Sequence, residues 1–308
     1  MMQTKWGDLR VSDAHVHFFS EGFFAALAAQ KKCSLEEMGP LLDWQLPGED
    51  PGELADRWVV ELDRYGVSRA ALISSVPGDE ASVAAAVTRH PDRFYGFFMF
   101  NPVLAPYEHH LNAILKGGAL QGICLFPAMH GYSLHDSRLL PLYEMASAHP
   151  GTVVFVHCGV LTVGVRKKLG LASHFDMRFS NPIDLHAIAL RFPTLNFIVP
   201  HFGAGYFREA LMLCDLCANV YLDTSSSNSW MRYEGLELKT VLRRALGVCG
   251  AGRLLFGSDS SFFPRGWNGK VFETQCAALA EIGVSEREAA QILGENLEGL
   301  LGRGLQQR

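Results

Sequence analysis

Short runs rich in Val, Ile, Leu and Phe recur along the chain, and stretches with a helical period separate them. The strand candidates are residues 10–19, 69–76, 94–101, 120–127, 152–158, 195–201, 220–224 and 253–258. Between them, residues 80–89, 137–148, 183–192 and 204–217 bring apolar positions round every three or four residues, as amphipathic helices do. Strands that are apolar on both faces and alternate with helices predict a parallel sheet covered by helices. Eight such units predict an α/β chain closed into a (β/α)₈ TIM barrel. An open doubly wound sheet is the alternative. It would carry a glycine-rich phosphate turn after the first strand, and HVHFFSEGFF stands there instead.

Three stretches break the repeat. Residues 20–56 form a long excursion after the first strand and residues 159–181 another after the fifth. Residues 285–302, SEREAAQILGENLEGLLG, read as one or two closing helices. No low-complexity segment or linker divides the chain, so residues 1–308 read as one barrel domain.

Composition narrows the class further. Of 308 residues, 48% are hydrophobic and 19% charged, which suits a soluble protein with a sizeable core. A net charge of -5 and a pI of about 6.2 argue against a general nucleic-acid binder. No apolar run reaches the ~20 residues of a membrane span, and MMQTKWGDLR lacks the apolar core of a signal peptide. The seven cysteines form no C-x-x-C pair, and most lie in apolar runs as buried thiols do. A cytoplasmic location without a disulfide framework is expected. The expected partners are a small-molecule substrate and, at most, a second copy of the chain as a homodimer.

The candidate chemistry lies where the apolar runs end, which in a (β/α)₈ barrel is the active-site face. The first run carries His15 and His17, two residues apart and therefore on one face of a strand, with Asp13 just ahead. The fifth, TVVFVHCG, ends at His157, and the sixth, LNFIVPHFG, at His201. The seventh, VYLDTSS, ends at Asp223, and the eighth, RLLFGSDSS, at Asp259. Histidines and a carboxylate from independent strands meeting at one mouth point to a catalytic divalent metal. Zn²⁺ comes first, with Mn²⁺, Fe²⁺ and Co²⁺ as alternatives.

SDAHVHFF, VFVHCG, NFIVPHFGAG, VYLDTSS, LLFGSDSSFFP and ILGENLEGLLG, in this order, resemble the amidohydrolase superfamily over nearly the whole chain. The wording is similar to its amidohydrolase 2 branch, the aminocarboxymuconate-semialdehyde decarboxylase-like metal-dependent hydrolases. The resemblance implies that His15, His17, His157 and Asp259 hold the metal and that Asp259 also serves as acid–base. It places His201 beside the metal, on the substrate or the water, and Asp223 behind a ligand. Two-metal members carry a bridging lysine on the fourth strand. Here that strand reads LQGICLFPAMHG, with Cys124 at the place and no lysine between Lys116 and Lys167. One metal ion is therefore expected, with Cys124 as a packing residue.

Substrate contacts are less legible. The basic excursion holds Arg166 and Arg178, and Arg265 and Trp267 follow the eighth strand, so these four are the candidate clamp for a carboxylate. Phe18, Phe19, Trp44 and Trp58 are candidates for an apolar lid. His130 and His135 are candidates for the pocket wall, and His109 and His110 read as an exposed helical pair. The leading expectation is a metal-dependent hydrolase acting on a small carboxylate-bearing substrate. A decarboxylase or hydratase of an unsaturated or aromatic acid on the same site is the alternative, and a metal-binding scaffold without catalysis a remote third.

Overall fold

The structure is a computed structural model and describes residues 1–104, 111, 115–161, 163–226 and 228–302. His109 and His110 lie outside the described residues. The chain begins with an antiparallel hairpin, β1 (Met2–Thr4) and β2 (Gly7–Leu9). Its arms are too short to show a hydrophobic period.

All eight apolar runs contain a strand. In chain order these are β3 (Ser12–Phe18), β4 (Arg69–Ser74), β5 (Phe94–Phe100), β6 (Leu120–Leu125), β7 (Val153–Val156), β8 (Asn196–Val199), β9 (Val220–Asp223) and β10 (Leu254–Leu255). Each pairs in parallel with the next. The first and last edges meet at a seam. There the Ala14 amide donates to the Phe256 carbonyl at 2.8 Å, His17 to Ser260 at 2.7 Å and Asp259 to His15 at 3.0 Å. With these bonds the sheet becomes a nearly closed TIM barrel, as the pattern predicts. The last strand is the exception. Only two residues of 253–258 pair with β9, because the chain leaves the sheet to make the seam.

Strand alternation divides the apolar side chains into two layers. Val16, Phe18, Leu72, Val154 and Leu222 face outward onto the helices. Ile73, Phe97, Cys124, Phe155, Ile198 and Leu255 fill the lumen, and Leu297, Leu300 and Leu301 of the closing helix join them. The barrel is therefore a packed core, and only its mouth is open to chemistry. The closing segment is helical as expected, with a π turn at Gln291–Glu295 between Glu286–Ala290 and Asn296–Gly302.

The first excursion, residues 20–56, is largely helical. It holds α1 (Glu21–Lys31), α2 (Leu35–Leu42) and the start of α3 (Pro51–Tyr65). Ser20 accepts the Phe23 amide at the start of α1, a Ser34–Glu37 capping box opens α2, and Asp50 with Pro51 opens α3. Each such cap contributes about 1 kcal/mol. Three expected helices are shortened at their starts, the one at 183–192 to His186–Arg191 after the 3₁₀ turn Pro182–Leu185. Pro141 moves the regular helix to Leu140–Ala148 after one 3₁₀ turn, and left-handed backbone at 201–204 delays the one expected at 204–217 to Phe207–Leu216. No helix among the described residues is long and apolar enough to cross a membrane.

Candidate metal centre

The aim of the two seam histidines comes from an irregularity in β3. Asp13 lies opposite Ala70 but Val16 opposite Leu72, so one extra residue is inserted between them. Such a bulge removes an amide from the ladder. The His15 amide is instead taken by Asp13 Oδ1 at 2.9 Å. The same carboxylate accepts the Ser258 amide at 3.0 Å and the Trp267 indole N–H at 2.7 Å. Burial lifts the Asp13 carboxyl to about 6 despite these donors. Beyond the bulge Val16 and Phe18 pack outward, while His15 and His17 face the mouth.

Each of these rings is fixed at its rear nitrogen. His15 Nδ1 lies 2.6 Å from Asp223 Oδ2, and His17 Nδ1 lies 2.7 Å from Ser75 Oγ. A carboxylate can only accept, so His15 carries its proton on Nδ1 and offers the Nε2 lone pair. The two Nε2 atoms stand 3.3 Å apart. Asp259 Oδ1 lies 3.3 Å from His17 Nε2 and 3.8 Å from His15 Nε2. Among the described residues these three side chains form the one group whose ligand atoms all lie within 4.8 Å of one another. Two imidazole nitrogens and a carboxylate oxygen converging in a buried place suit a divalent cation such as Zn²⁺ or Mn²⁺.

The backbone under this cluster has no slack. A Cβ on Gly257 would sit 2.5 Å from Asp223 Oδ1 and 3.0 Å from His15 Cβ, so only glycine fits there. Two residues on, Asp259 adopts φ 57, a left-handed conformation uncommon outside glycine. Burial opposes the Asp259 charge, yet the His17 contact and the neighbouring His15 and His201 rings hold its carboxyl well below the usual range. Burial pushes His17 down. It is the largest influence on His15 too, but there the Asp223, Asp259 and Asp13 carboxylates together raise the ring.

His157 and His201 approach from the opposite side. His201 opens a run of positive φ, with 54° there, 53° at Phe202, 83° at Gly203 and 44° at Ala204. Non-glycine residues in this region cost on the order of 1–3 kcal/mol each. Gly159 lets the two loops touch, because a Cβ there would lie 2.2 Å from the Gly203 carbonyl oxygen. His201 Nδ1 meets Ser225 Oγ at 2.8 Å, and the same hydroxyl lies 3.1 Å from His15 Nδ1. His157 stacks on Phe126 at 5.4 Å and faces His201 at 5.3 Å. Burial pushes its pKa well below the usual histidine value.

All four histidines and Asp259 line one cavity of about 370 Å³. Asp223 does not line it and lies fully buried behind His15. One wall is aromatic. Phe19 stacks on Phe23 at 4.0 Å, Trp44 on Phe262 at 3.9 Å, and Phe19 faces Trp44 at 6.1 Å. Arg265 lies over Phe262 at 4.5 Å and is the one arginine or lysine among the described lining residues. Its Nη2 donates to the Asp259 carbonyl at 3.2 Å and to Ser261 Oγ at 2.9 Å.

Several expected contacts are corrected. Trp267 is buried and holds Asp13 from behind, away from the cavity. Arg178 is exposed and paired with Asp176 at 2.6 Å. Arg166 lines a second cavity, bonded to the Ala172 carbonyl and Gln30. Phe18 and Trp58 belong to the outward core, so only Phe19 and Trp44 of the proposed lid reach the mouth. His135 is exposed, and His130 lines the second cavity. Cys124 is fully buried, as a packing residue should be. The sequence marks no role for Ser75 or Ser225, and for Asp13 only its place ahead of the histidine pair.

Comparison with known proteins agrees with this architecture. The amidohydrolase family profile matches residues 12–303. Protein fluG of Emericella nidulans is 33% identical over 85 residues, which are 28% of this chain and 10% of that protein. This chain's match therefore spans about a tenth of that curated relative's length. A putative 2-pyrone-4,6-dicarboxylic acid hydrolase of Pseudomonas putida superposes with a TM-score of 0.61 at 18% identity, covering 96% of this chain and 98% of that one. A 5-carboxyvanillate decarboxylase of Novosphingobium aromaticivorans with bound manganese gives 0.61 at 15% identity, covering 98% and 100%. An amidohydrolase of Burkholderia multivorans with bound zinc gives 0.58 at 17% identity, covering 96% and 99%. At such identities the likeness is one of fold.

Proposed function

The chain belongs to the amidohydrolase family, and from that premise we propose that it is a metal-dependent hydrolase of a small substrate bearing a carboxylate. The observation that carries this reading is the convergence of His15 Nε2, His17 Nε2 and Asp259 Oδ1 on the floor of the aromatic cavity. These three would hold one divalent ion, with His157 facing them as a fourth donor. Zn²⁺ fits this set first, and the zinc- and manganese-bound neighbours support the range. β6 offers no bridging lysine, and burial keeps the Cys124 thiol protonated, so a second ion lacks its ligand.

A bound ion of this kind polarises a carbonyl and makes a water nucleophile available at neutral pH. The chain supplies the rest. Asp259, held ionised, accepts the proton of the attacking water and returns it to the leaving group. His201, oriented by Ser225, would stabilise the substrate oxygen on which charge develops. Arg265 attracts the substrate carboxylate, while Phe19, Trp44 and Phe262 exclude water from one side.

Elemental analysis and turnover measured on the same samples test this. We expect one ion per chain, and two at full occupancy would overturn the single-ion assignment. Asp259→Asn should keep much of the metal and lose about 10²–10⁴-fold in kcat. Turnover near the wild-type rate would remove Asp259 from the acid–base role. A second reading, decarboxylation, is favoured by the nearness of Arg265 to Asp259, which would set a carboxylate beside the group that takes up and returns a proton. Release of CO₂ from aromatic and unsaturated acids separates the two.

A further inference from the structure

A second cavity of about 350 Å³ lies beside the first, between α1 and the 163–175 segment. Phe23, Ser75, Met99, Met129, Val163 and Val165 line both. The two are therefore separated by no more than one layer of side chains. Two of those six are methionines, whose unbranched thioether chains change rotamer readily. Rotamer changes at these side chains would open the partition.

Beyond the partition six of the eleven lining residues are apolar, Ala26, Leu27, Val76, Pro77, Ala172 and Phe175, and Gln30, His130, Arg166, Ser173 and His174 form the rest. Arg166 is the one arginine or lysine among its described lining residues, and each of its guanidinium nitrogens already has an acceptor. Nε and Nη2 donate to the Ala172 carbonyl at 3.1 and 2.6 Å, and Nη1 donates to Gln30 Oε1 at 2.6 Å. The anion-seeking group is thus at Arg265 in the metal cavity, and the second cavity offers mainly surface that gains by excluding water. Ligand cavities run from ~300 to ~1,000 Å³. The metal cavity alone sits at the small end of that range, and the two joined would hold a considerably longer molecule.

We propose that the second cavity is a subsite for an apolar tail, so that the substrate is a monocarboxylate with an extended alkyl or aryl arm. The carboxylate end lies in the metal cavity near Arg265 and the arm crosses the Met99–Met129 partition. This rests on the functional reading above only for where the carboxylate sits, since the tail subsite is a matter of binding.

The probe is a series of straight-chain alkanoates from acetate to decanoate, titrated into the metal-loaded protein by calorimetry, with no turnover required. Each methylene that enters the subsite should tighten binding about three- to fourfold. The gain should begin only once the chain is long enough to cross the partition. Ala26→Phe, which fills the subsite from α1 and touches neither the metal cavity nor its ligands, should leave short alkanoates unchanged and abolish the gain for long ones. Ala172→Phe fills it from the opposite wall and gives the same test if the first variant folds poorly. Alkylammonium ions of equal length should not bind. A flat series, a gain that survives both filled variants, or α,ω-dicarboxylates binding more tightly than alkanoates of equal length would overturn the apolar-tail assignment. Metal content and hydrolysis of compact substrates are unaffected by that result, so it leaves the proposed function to its own test.

Discussion

On the seam side of the mouth, His15 and His17 are each held from behind, by Asp223 at 2.6 Å and Ser75 at 2.7 Å, and Asp259 completes the group. On the far side, His157 has aromatic neighbours but no side-chain hydrogen bond among the described residues, and His201 has one hydroxyl. The seam also carries the bulge, the crowded Gly257 and the left-handed Asp259. The difference separates two tasks. An ion needs donors whose tautomer and direction are fixed before it arrives. A substrate that changes shape during reaction is served by groups that can adjust.

The largest effect should come from testing that division on the ion itself. His15→Ala removes the donor whose rear partner, Asp223, is fully buried, and leaves Asp223 Oδ2 without the imidazole N–H while Oδ1 keeps the Ser225 amide. Loss of a supporting partner alone commonly costs ~10–100-fold in metal affinity, and loss of His15 should exceed this. His157→Ala should cost less, because His157 stands outside the group whose atoms lie within 4.8 Å of one another. Competition with a chelator measures both. Equal losses would place His157 among the fixed donors and erase the contrast between the two sides.

The wall of the second cavity should show itself in acid. His130 ends the short helix Pro127–His130 after β6, and its Nδ1 is buried with no hydrogen-bond partner. Burial lowers its pKa from 6.5 to about 4. The folded protein therefore holds the ring neutral where the unfolded chain would protonate it. Its contribution is complete above pH 6.5 and is lost as pH falls from there toward about 4. Between about pH 7 and about pH 5 the change is roughly 2 kcal/mol by linkage. In His130→Gln, the stability difference between those two pH values, read from denaturant unfolding, should shrink by about that amount. An unchanged pH slope would mean that the ring finds a partner in solution.

Much of this fold was legible because parallel strands are buried on both faces. Phe94–Phe100 and Val153–Val156 are buried at every position, and such runs stand out without any alternation. The site was legible to the extent that its residues end those runs, as His157, His201 and Asp223 do. What supports the site was not. Ser75 and Ser225 are hydroxyls in polar loop sequence, and nothing in their neighbours marks one serine as meeting an imidazole. Arg166, Arg178 and Arg265 are alike in sequence because each stands in a segment that follows a strand. Which one enters the metal cavity depends on packing between distant segments. Arg265 is placed by its contact with Phe262, which in turn stacks on Trp44 from the first excursion.

Ser225 is where the two sides meet, and its removal is the mildest and most discriminating test. Its hydroxyl lies 2.8 Å from His201 Nδ1 and 3.1 Å from His15 Nδ1. The two contacts are not equivalent. His15 keeps its stronger partner, Asp223, when the hydroxyl is lost, whereas His201 loses the side-chain contact that orients it. Ser225→Ala should therefore leave metal affinity close to wild type and lower kcat by a factor of about 2–10, the range of one hydrogen bond worth ~0.5–1.5 kcal/mol. KM should change little, since the contact orients a group that acts on charge developing in the transition state. Ser225→Thr restores the hydroxyl and should recover most of the loss, which a general loosening of the loop would not allow. Should Ser225→Ala instead release the metal while kcat per bound ion stays constant, the hydroxyl would belong to the fixed side, and the boundary between ion holding and substrate handling would run through His201.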